Sequence, residues 1–257
     1  MPSSLVCTYF PEKARLLASE FWPGSLTLVL PKKYRVPHLI TAGKDTVAVR
    51  IPDHPLTLKL LRSLDFPLAA PSANPFGSIS PTRPEHVAQY FEGKLKMVLD
   101  GGPCKHGIES TIVGFDGDQP IIYRLGSISV EDIEAVVGAL PLRHKEENAP
   151  EAPGMLSRHY APETPTFLVE DIPAFVARYP DKRIGLLCFK DTFQGPNIIH
   201  IEQLSRDGEV AQAMAALYAA MHRLDTYNLD MIVAQRFPDT HLGRSINDRL
   251  QRATKGK

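Results

Sequence analysis

Polar side chains that could bind a carboxylate or a phosphate gather at several points of the sequence. Arg50 and Arg124 each end a β-rich stretch, TVAVRIP and PIIYRLG. Arginine can hold a carboxylate or a phosphate through two parallel hydrogen bonds. Residues 70–82, APSANPFGSISPT, place several hydroxyls between an apolar stretch and a predicted helix, where backbone N–H groups can hold phosphate. Taken singly, each pattern favours a plainer explanation: a surface ion pair for either arginine and a capped turn for the loop.

Two further segments combine glycines with polar groups. Residues 100–113, DGGPCKHGIESTIV, have glycines that let a ligand approach the backbone, although a hairpin connection explains them as well. Cys104 and His106 do not indicate a nucleophile and its base, because no orienting acid accompanies them. Residues 152–162, APGMLSRHYAP, set polar aromatic side chains between rigid flanks, which favours a segment that folds over a ligand.

Composition limits the class of protein. The 257 residues contain 29 basic and 29 acidic side chains, so no overall positive field attracts nucleic acid, although a local basic patch is allowed. The three cysteines are far apart and form no CxxC motif, which favours a reducing compartment, the cytoplasm. No apolar run is long enough to predict a membrane span, and the N-terminus does not look like a secretory signal.

The order of predicted elements favours an α/β protein with two domains. The first half alternates short strands with helices, among them a hairpin at 110–126 and a Ser-capped helix at 129–138. Residues 139–165 are rich in proline, lack periodicity and read as a linker. After them, strands alternate with helices, which favours a smaller domain with a largely parallel sheet. Residues 67–74 predict a short buried strand that runs into a loop, residues 96–102 a strand that ends in a glycine turn, and residues 82–93 a helix with a Thr82–Glu85 capping box.

Seven segments in order resemble one known family. WPGSLTLVL, TVAVRIP, APSANPFGSISPT, GIESTIV and YRLGSIS resemble the YrdC-like catalytic domain of the L-threonylcarbamoyladenylate synthases. PGMLSRHYAP and INDRLQRA resemble the linker and the closing helix of the long, two-domain form. The resemblance implies a YrdC-like twisted mixed sheet with helices over residues 1–140, a linker or lid over 141–165, and a Rossmann-like α/β domain over 166–257.

The resemblance also implies an activity. Members of this family join L-threonine, bicarbonate and ATP into threonylcarbamoyl-AMP and release pyrophosphate, and downstream proteins transfer the threonylcarbamoyl group to tRNA. Mg²⁺ is expected to bind through the phosphates and not through protein ligands, and a weak tRNA contact is expected. The residues that match threonine-binding positions are Arg50, Ala70 and Ser110. Those that match ATP-binding positions are Thr46, Ser72, Ser80, Arg124 and Tyr160, while Arg158 and His159 would belong to the lid.

One departure from the family pattern leaves alternatives open. Family members begin with several dozen residues, including a Thr-rich turn and a KxR cluster, that have no counterpart here, so we expect an N-terminally truncated catalytic domain. An alternative hypothesis is therefore a nucleotide- or RNA-binding module without turnover. A third is a regulatory C-terminal α/β domain carried by a degenerate partner.

Overall fold

The computed structural model describes residues 6–142 and 160–254, which form two compact units. Unit 1 consists of the described residues of Met1–Pro71 and Glu109–Leu156. Unit 2 consists of those of Ser72–Ile108 and Ser157–Lys257. Residues 72–108 thus group with the C-terminal part of the chain, although they lie within the first half of the sequence.

Fifteen elements account for the regular structure of the described ranges. In chain order they are α1 (Glu12–Phe21), β1 (Leu26–Pro31), β2 (Thr46–Val49), α2 (Pro55–Arg62), α3 (Pro84–Tyr90), β3 (Thr111–Asp116), β4 (Gln119–Arg124), α4 (Val130–Val137), β5 (Thr166–Val169), α5 (Ile172–Val176), β6 (Ile184–Cys188), β7 (Ile198–Gln203), α6 (Val210–Leu224), β8 (Met231–Gln235) and α7 (His241–Ala253). In the part of the chain that the structure describes, no helix is long and apolar enough to cross a membrane.

Unit 1 contains a mixed four-stranded sheet in the order β2-β1-β3-β4. Strand β1 runs antiparallel to β2 and parallel to β3, and β3 and β4 form the predicted hairpin. The first five residues of β1 are buried, since this strand lies inside the sheet. Leu17 of α1, Leu28 of β1 and Ile133 of α4 are fully buried in one apolar cluster, so the two helices cover the sheet.

The start and end of α4 follow from local sequence. The side chain of Ser129 accepts a hydrogen bond from the Asp132 N–H, and the Asp132 carboxylate accepts one from the Ser129 N–H. This capping box satisfies two N–H groups that the first helical turn leaves unpaired. Gly138 follows the helix with φ 79°, a left-handed conformation that favours glycine. The predicted helix is confirmed at both ends.

Unit 2 contains a four-stranded sheet in the order β5-β8-β6-β7, with every neighbouring pair parallel. Strand β6 is buried at all five positions, as expected for a central strand of a parallel sheet. Helix α6 contributes Leu217 and Met221 to the apolar cluster that also holds Leu187 of β6. The predicted α/β domain with a parallel sheet is confirmed.

Three local predictions are wrong. Residues 67–74 and 96–102 are not strands: no described strand pairs with either segment, and side chains such as Leu68 and Met97 are exposed. Apolar residues alone do not form a strand, because a strand also needs a hydrogen-bonded neighbour. Helix α3 begins at Pro84 after Arg83 and has no side-chain cap, so Thr82 and Glu85 do not form a capping box. The sequence reading also missed α5, a five-residue helix capped by Asp171.

Candidate functional site

Four polar residues lie at one edge of the unit 1 sheet. Thr27 is the second residue of β1, and Ser110 directly precedes β3, which runs parallel to β1. Arg50 directly follows β2 and Arg124 ends β4, and both of these strands run antiparallel to their neighbours. The starts of β1 and β3 and the ends of β2 and β4 therefore lie at the same edge of the sheet. Strand direction brings Arg50, Ser110 and Arg124, which the sequence predicted, to the same edge.

Buried hydrogen bonds connect three of these residues. The Arg124 guanidinium donates from Nε (3.2 Å) and Nη2 (2.8 Å) to the carbonyl oxygen of Ser110. Nη2 also lies 3.1 Å from Ser110 Oγ, which is 2.7 Å from Thr27 Oγ1. Arg124 is only 8% exposed and Ser110 only 6%. The buried arginine thus fixes the turn that carries the Ser110 hydroxyl.

Backbone contacts hold the same turn from the other side. A Cβ atom at Gly126 would lie 2.3 Å from the carbonyl carbon of Ser110, so only glycine fits this position without a shift of the backbone. The hydroxyl of Thr111 donates to the carbonyl of Ile128 (2.7 Å) and accepts from its N–H (3.0 Å). The turn at residues 109–111 and the loop at residues 126–129 therefore hold each other in place.

The other predicted residues of unit 1 lie elsewhere. Thr46 begins β2 and pairs with Pro31, so it lies at the end of the strand opposite Arg50, about 13 Å away at 3.3 Å per residue. Ala70 is exposed in the irregular segment that follows α2. Arg50 itself is exposed, which leaves its side chain accessible to solvent-borne ligands. The structure of unit 1 therefore groups Arg50, Ser110 and Arg124, but it does not bring Thr46 to them.

Three predicted nucleotide-binding residues belong to unit 2. Ser72 is exposed, whereas Ser80 is 7% exposed and its carbonyl lies 3.3 Å from Nε2 of His222. The hydroxyl-rich loop also meets the residue after Tyr160, because the Ala161 N–H donates to the carbonyl of Gly77 at 2.9 Å. Within unit 2 the structure brings this loop to the end of the linker.

Tyr160 occupies a constrained position. Its φ of 64° lies in the left-handed region, which is uncommon for a residue with a side chain. The ring is 1% exposed, stacks on Tyr218 with centroids 5.6 Å apart, and faces the buried guanidinium of Arg249 at 5.0 Å. Backbone conformations of this kind persist when the surroundings determine them, and they cluster at functional sites. Arg158 and His159, predicted for the lid, lie outside the described residues.

The predictions from sequence did not include a pair of histidines that lies between α3 and α6. The rings of His86 and His222 stack with centroids 3.8 Å apart, and His86 Nδ1 accepts a hydrogen bond from the Thr82 N–H at 3.2 Å. Burial lowers the pKa of His86 to about 4, with a smaller contribution from His222, and burial also lowers the pKa of His222. No spacing in the sequence could have shown this pair, because the two histidines are 136 positions apart (222 − 86).

A cavity of about 240 Å³ lies within unit 2 and is lined in part by Thr82, whose N–H donates to His86. Thr82, Arg83, Cys104, Gln212 and Arg223 are among its lining residues, and it contains none of the predicted site residues. Across residues 6–142 and 160–254, no three His, Cys, Asp or Glu side chains are grouped so that they could hold a metal ion.

Comparison with known proteins decides the family. Residues 3–126 match a family model described as "Telomere recombination", and residues 128–254 match one described as "Threonylcarbamoyl-AMP synthase, C-terminal domain". The threonylcarbamoyl-AMP synthase of Bacillus subtilis is 38% identical over 96% of this chain and 74% of its own length. The chain belongs to the threonylcarbamoyl-AMP synthase family. The corresponding synthase of Pyrococcus abyssi is 36% identical over 95% of this chain and 74% of its own length.

A solved structure agrees with this family assignment. The crystal structure of P. abyssi Sua5 complexed with L-threonine superposes with a TM-score of 0.90 at 35% identity, over 97% of this chain and 76% of that one. The predicted family, its two-domain form and the α/β fold are thus confirmed. The threonylcarbamoyl-AMP synthase family consists of ATP-using transferases of the nucleotidyltransferase kind, which act in tRNA modification.

Proposed function

We propose that this chain joins L-threonine, bicarbonate and ATP into threonylcarbamoyl-AMP and pyrophosphate. The threonine amine would attack the carbonyl carbon of bicarbonate, which gives a carbamate and water. A carbamate oxygen would then attack the α-phosphorus of ATP, and the bond from that phosphorus to pyrophosphate would break. One observation supports the proposal: in this chain, which belongs to the family, Arg50, Ser110 and Arg124 lie at one edge of one sheet.

Threonine binding is assigned to Arg50, Ala70 and Ser110. An exposed arginine at the end of β2 suits a carboxylate, because its planar group can form two parallel hydrogen bonds. The Ser110 hydroxyl is held by Arg124 and Thr27, so it is oriented before any substrate arrives. Such preorganisation lowers the entropic cost of bringing reacting groups together. Support for this assignment also comes from the P. abyssi structure, which was solved with L-threonine.

Nucleotide binding is assigned to Thr46, Ser72, Ser80, Arg124 and Tyr160. Arg124 donates hydrogen bonds to the carbonyl of Ser110, so we propose that it also contributes by holding that turn in place. The donors at the sheet edge are hydroxyls and arginines, which suit phosphate and carboxylate oxygens better than a metal ion. We therefore propose that Mg²⁺ binds through the phosphates of ATP, where it would neutralise charge as pyrophosphate departs.

Pyrophosphate release tests this proposal. We expect release that requires ATP, L-threonine and bicarbonate together, with threonylcarbamoyl-AMP detected by mass spectrometry. Arg50→Lys keeps the charge but loses the paired hydrogen bonds, so KM for threonine should rise about 10-fold or more while KM for ATP changes little. Release that does not depend on threonine, or an equal rise in both KM values, would contradict the assignment.

The alternative is a binding module without turnover, which the family relationship does not favour. It predicts ATP binding in equilibrium dialysis but no pyrophosphate release at any threonine concentration, so the same preparation distinguishes the two hypotheses. We further propose that the product is passed to downstream proteins that modify tRNA, that the protein makes a weak contact with tRNA, and that it works in the cytoplasm, where ATP and tRNA are available.

The domain division into 1–140, 141–165 and 166–257 remains a proposal. So does the assignment of the linker as a lid, since residues 143–159 lie outside the ranges that the structure describes. Limited proteolysis followed by mass spectrometry would test the division. Cleavage confined to 141–165 supports it, whereas first cuts near residues 72 and 108 would favour the two compact units as the independent parts.

A further inference from the structure

The connection between β1 and β2, residues 32–45 (KKYRVPHLITAGKD), contains none of the residues to which threonine or nucleotide binding is assigned, although Thr46 follows it directly. We refer to it as the basic hairpin loop. It joins the ends of β1 and β2 that lie opposite Arg50, about 13 Å along β2 from that residue. The loop therefore lies away from the edge of the sheet to which threonine binding is assigned.

The basic hairpin loop is an ordered series of turns. The Val36 N–H donates to the carbonyl of Lys33 at 3.0 Å, and the Gly43 N–H donates to that of His38 at 2.9 Å. The Thr41 hydroxyl donates to the carbonyl of Lys44 at 2.8 Å. Val36 is 7% exposed and anchors the loop to unit 1. These hydrogen bonds give the loop a defined backbone from which its other side chains project.

Large apolar and aromatic side chains project from this framework into solvent. Tyr34 is 94% exposed, Leu39 91% and Ile40 51%. A tyrosine ring has a large apolar surface that is usually at least partly buried against other groups. Tyr34 is the most exposed of the large apolar side chains in the described ranges, so its position has no explanation in the packing of the chain itself.

Basic residues flank the exposed tyrosine in the sequence. The loop contains Lys32, Lys33, Arg35 and Lys44 against one carboxylate, Asp45, although the whole chain balances 29 basic with 29 acidic residues. A local excess of this kind creates a positive field that attracts polyanions. The Lys32 ammonium is bound to the carbonyl of Val36 at 3.0 Å, but it still contributes its charge.

We propose that the basic hairpin loop binds single-stranded RNA, with Tyr34 stacking on a base and the neighbouring cations contacting phosphates. Aromatic rings flanked by basic residues are the usual elements of such sites, because every base offers a face for stacking. A protein partner fits less well, since protein interfaces have cores depleted of charge and contain few lysines. The inference rests on the proposed function, which gives the chain a reason to contact tRNA, and it names the surface of that contact.

The test is fluorescence anisotropy with a labelled RNA hairpin that has a single-stranded loop. About three phosphate contacts predict that affinity falls roughly 20-fold between 50 and 200 mM salt. Tyr34→Ala should weaken binding about five-fold or more, whereas Tyr34→Phe keeps the ring and should bind like the parent. Arg35→Glu should weaken binding about five-fold or more. Arg62→Glu makes the same charge change on the exposed surface of α2 and should have little effect.

Each outcome bears on the inference. Wild-type affinity in Tyr34→Ala, or equal losses in Arg35→Glu and Arg62→Glu, would overturn it. Displacement of the RNA by polyglutamate at equal charge would overturn it in favour of an acidic protein partner. Melting curves confirm that the variants fold, which is expected because both side chains are exposed. Pyrophosphate release measured in parallel separates the two proposals. RNA binding that depends on the loop, without pyrophosphate release, supports the RNA-binding proposal alone. Pyrophosphate release without loop-dependent RNA binding contradicts the RNA-binding proposal.

Discussion

Replacing Arg124 with alanine tests whether the buried guanidinium holds the Ser110 turn. In the folded protein Arg124 donates twice to the Ser110 carbonyl and lies within hydrogen-bonding distance of its hydroxyl. Arg124→Ala would leave this carbonyl without these donors in a site where Ser110 is only 6% exposed. The turn should therefore lose stability, even before any effect on substrate binding is considered.

The size of the loss follows from these contacts. Hydrogen bonds to charged groups contribute about 1.5–3 kcal/mol, and the two bonds to one carbonyl oxygen count as about one such interaction. The weaker contact with the Ser110 hydroxyl adds about 1 kcal/mol. We therefore expect Arg124→Ala to lower the free energy of unfolding of unit 1 by about 3 kcal/mol, a large share of the 5–15 kcal/mol typical of proteins.

Urea unfolding followed by tryptophan fluorescence suits this measurement. The chain contains a single tryptophan, Trp22, which lies in unit 1 and donates from Nε1 to the carbonyl of Leu26 at 2.8 Å. Its signal therefore reports on the part of the protein that contains Arg124. A protein with two units need not unfold in one step, so a reporter confined to one unit is preferable to a global signal.

Two further variants sharpen the result. Arg124→Lys keeps the charge but has a single donor nitrogen, so its loss should be intermediate. Ser110→Ala removes the contacts of the hydroxyl with Thr27 and Arg124 but keeps the carbonyl, which predicts a loss of about 1–2 kcal/mol. A loss below about 1 kcal/mol for Arg124→Ala, with activity abolished, would refute the structural role and make the arginine a direct ligand of the substrate.

Three other changes test local features. Gly126→Ala places Cβ 2.3 Å from the carbonyl carbon of Ser110 and should lower the thermal midpoint by several degrees; an unchanged midpoint would mean that the backbone yields easily. Ser129→Ala removes the cap of α4 and should cost about 1 kcal/mol in urea unfolding, whereas Ser127→Ala, at a buried hydroxyl without a hydrogen-bond partner, should cost little. Stability should fall as the pH drops from 6.5 to about 4, because the unfolded chain binds a proton at His86 with the ordinary pKa of 6.5 and the folded chain does so only near 4. Replacing His86 with glutamine should flatten that part of the pH profile, and an unaltered slope would assign it to other groups.

Strong local signals made much of the fold predictable. The Ser129 cap and the Gly138 stop define α4, and the apolar face of residues 210–224 defines α6. Residues 67–74 and 96–102 misled the reading because their composition suits a strand, whereas strand formation depends on a partner that composition cannot show. The short helix α5 was not predicted because five residues are too few to show helical periodicity.

The candidate site was predictable in residue type but not in arrangement. Arg50 and Arg124 stood out because arginines ended β-rich stretches, and the motifs supplied Ser110. Thr27 did not stand out, since one threonine within LTLVL looks like an ordinary strand residue. Its contact with Ser110 Oγ spans 83 positions and depends on the parallel pairing of β1 with β3. Long-range pairing of this kind leaves no local trace in the sequence.

The position of Arg124 depends on an irregularity that the motif alone conceals. The register of β3 and β4 shifts between Ile112 and Val113, so that Val113 pairs with Ile122 while Ile112 pairs with Arg124, and Tyr123 is the extra residue. A bulge of this kind re-aims the side chains beside it. The ring of Tyr123 lies where a Cβ of Gly114 would be, within 2.2 Å, so glycine at that position is what admits the ring. Since a one-residue change of register turns a side chain to the other face, we expect the contact between the Arg124 guanidinium and Ser110 to depend on this bulge.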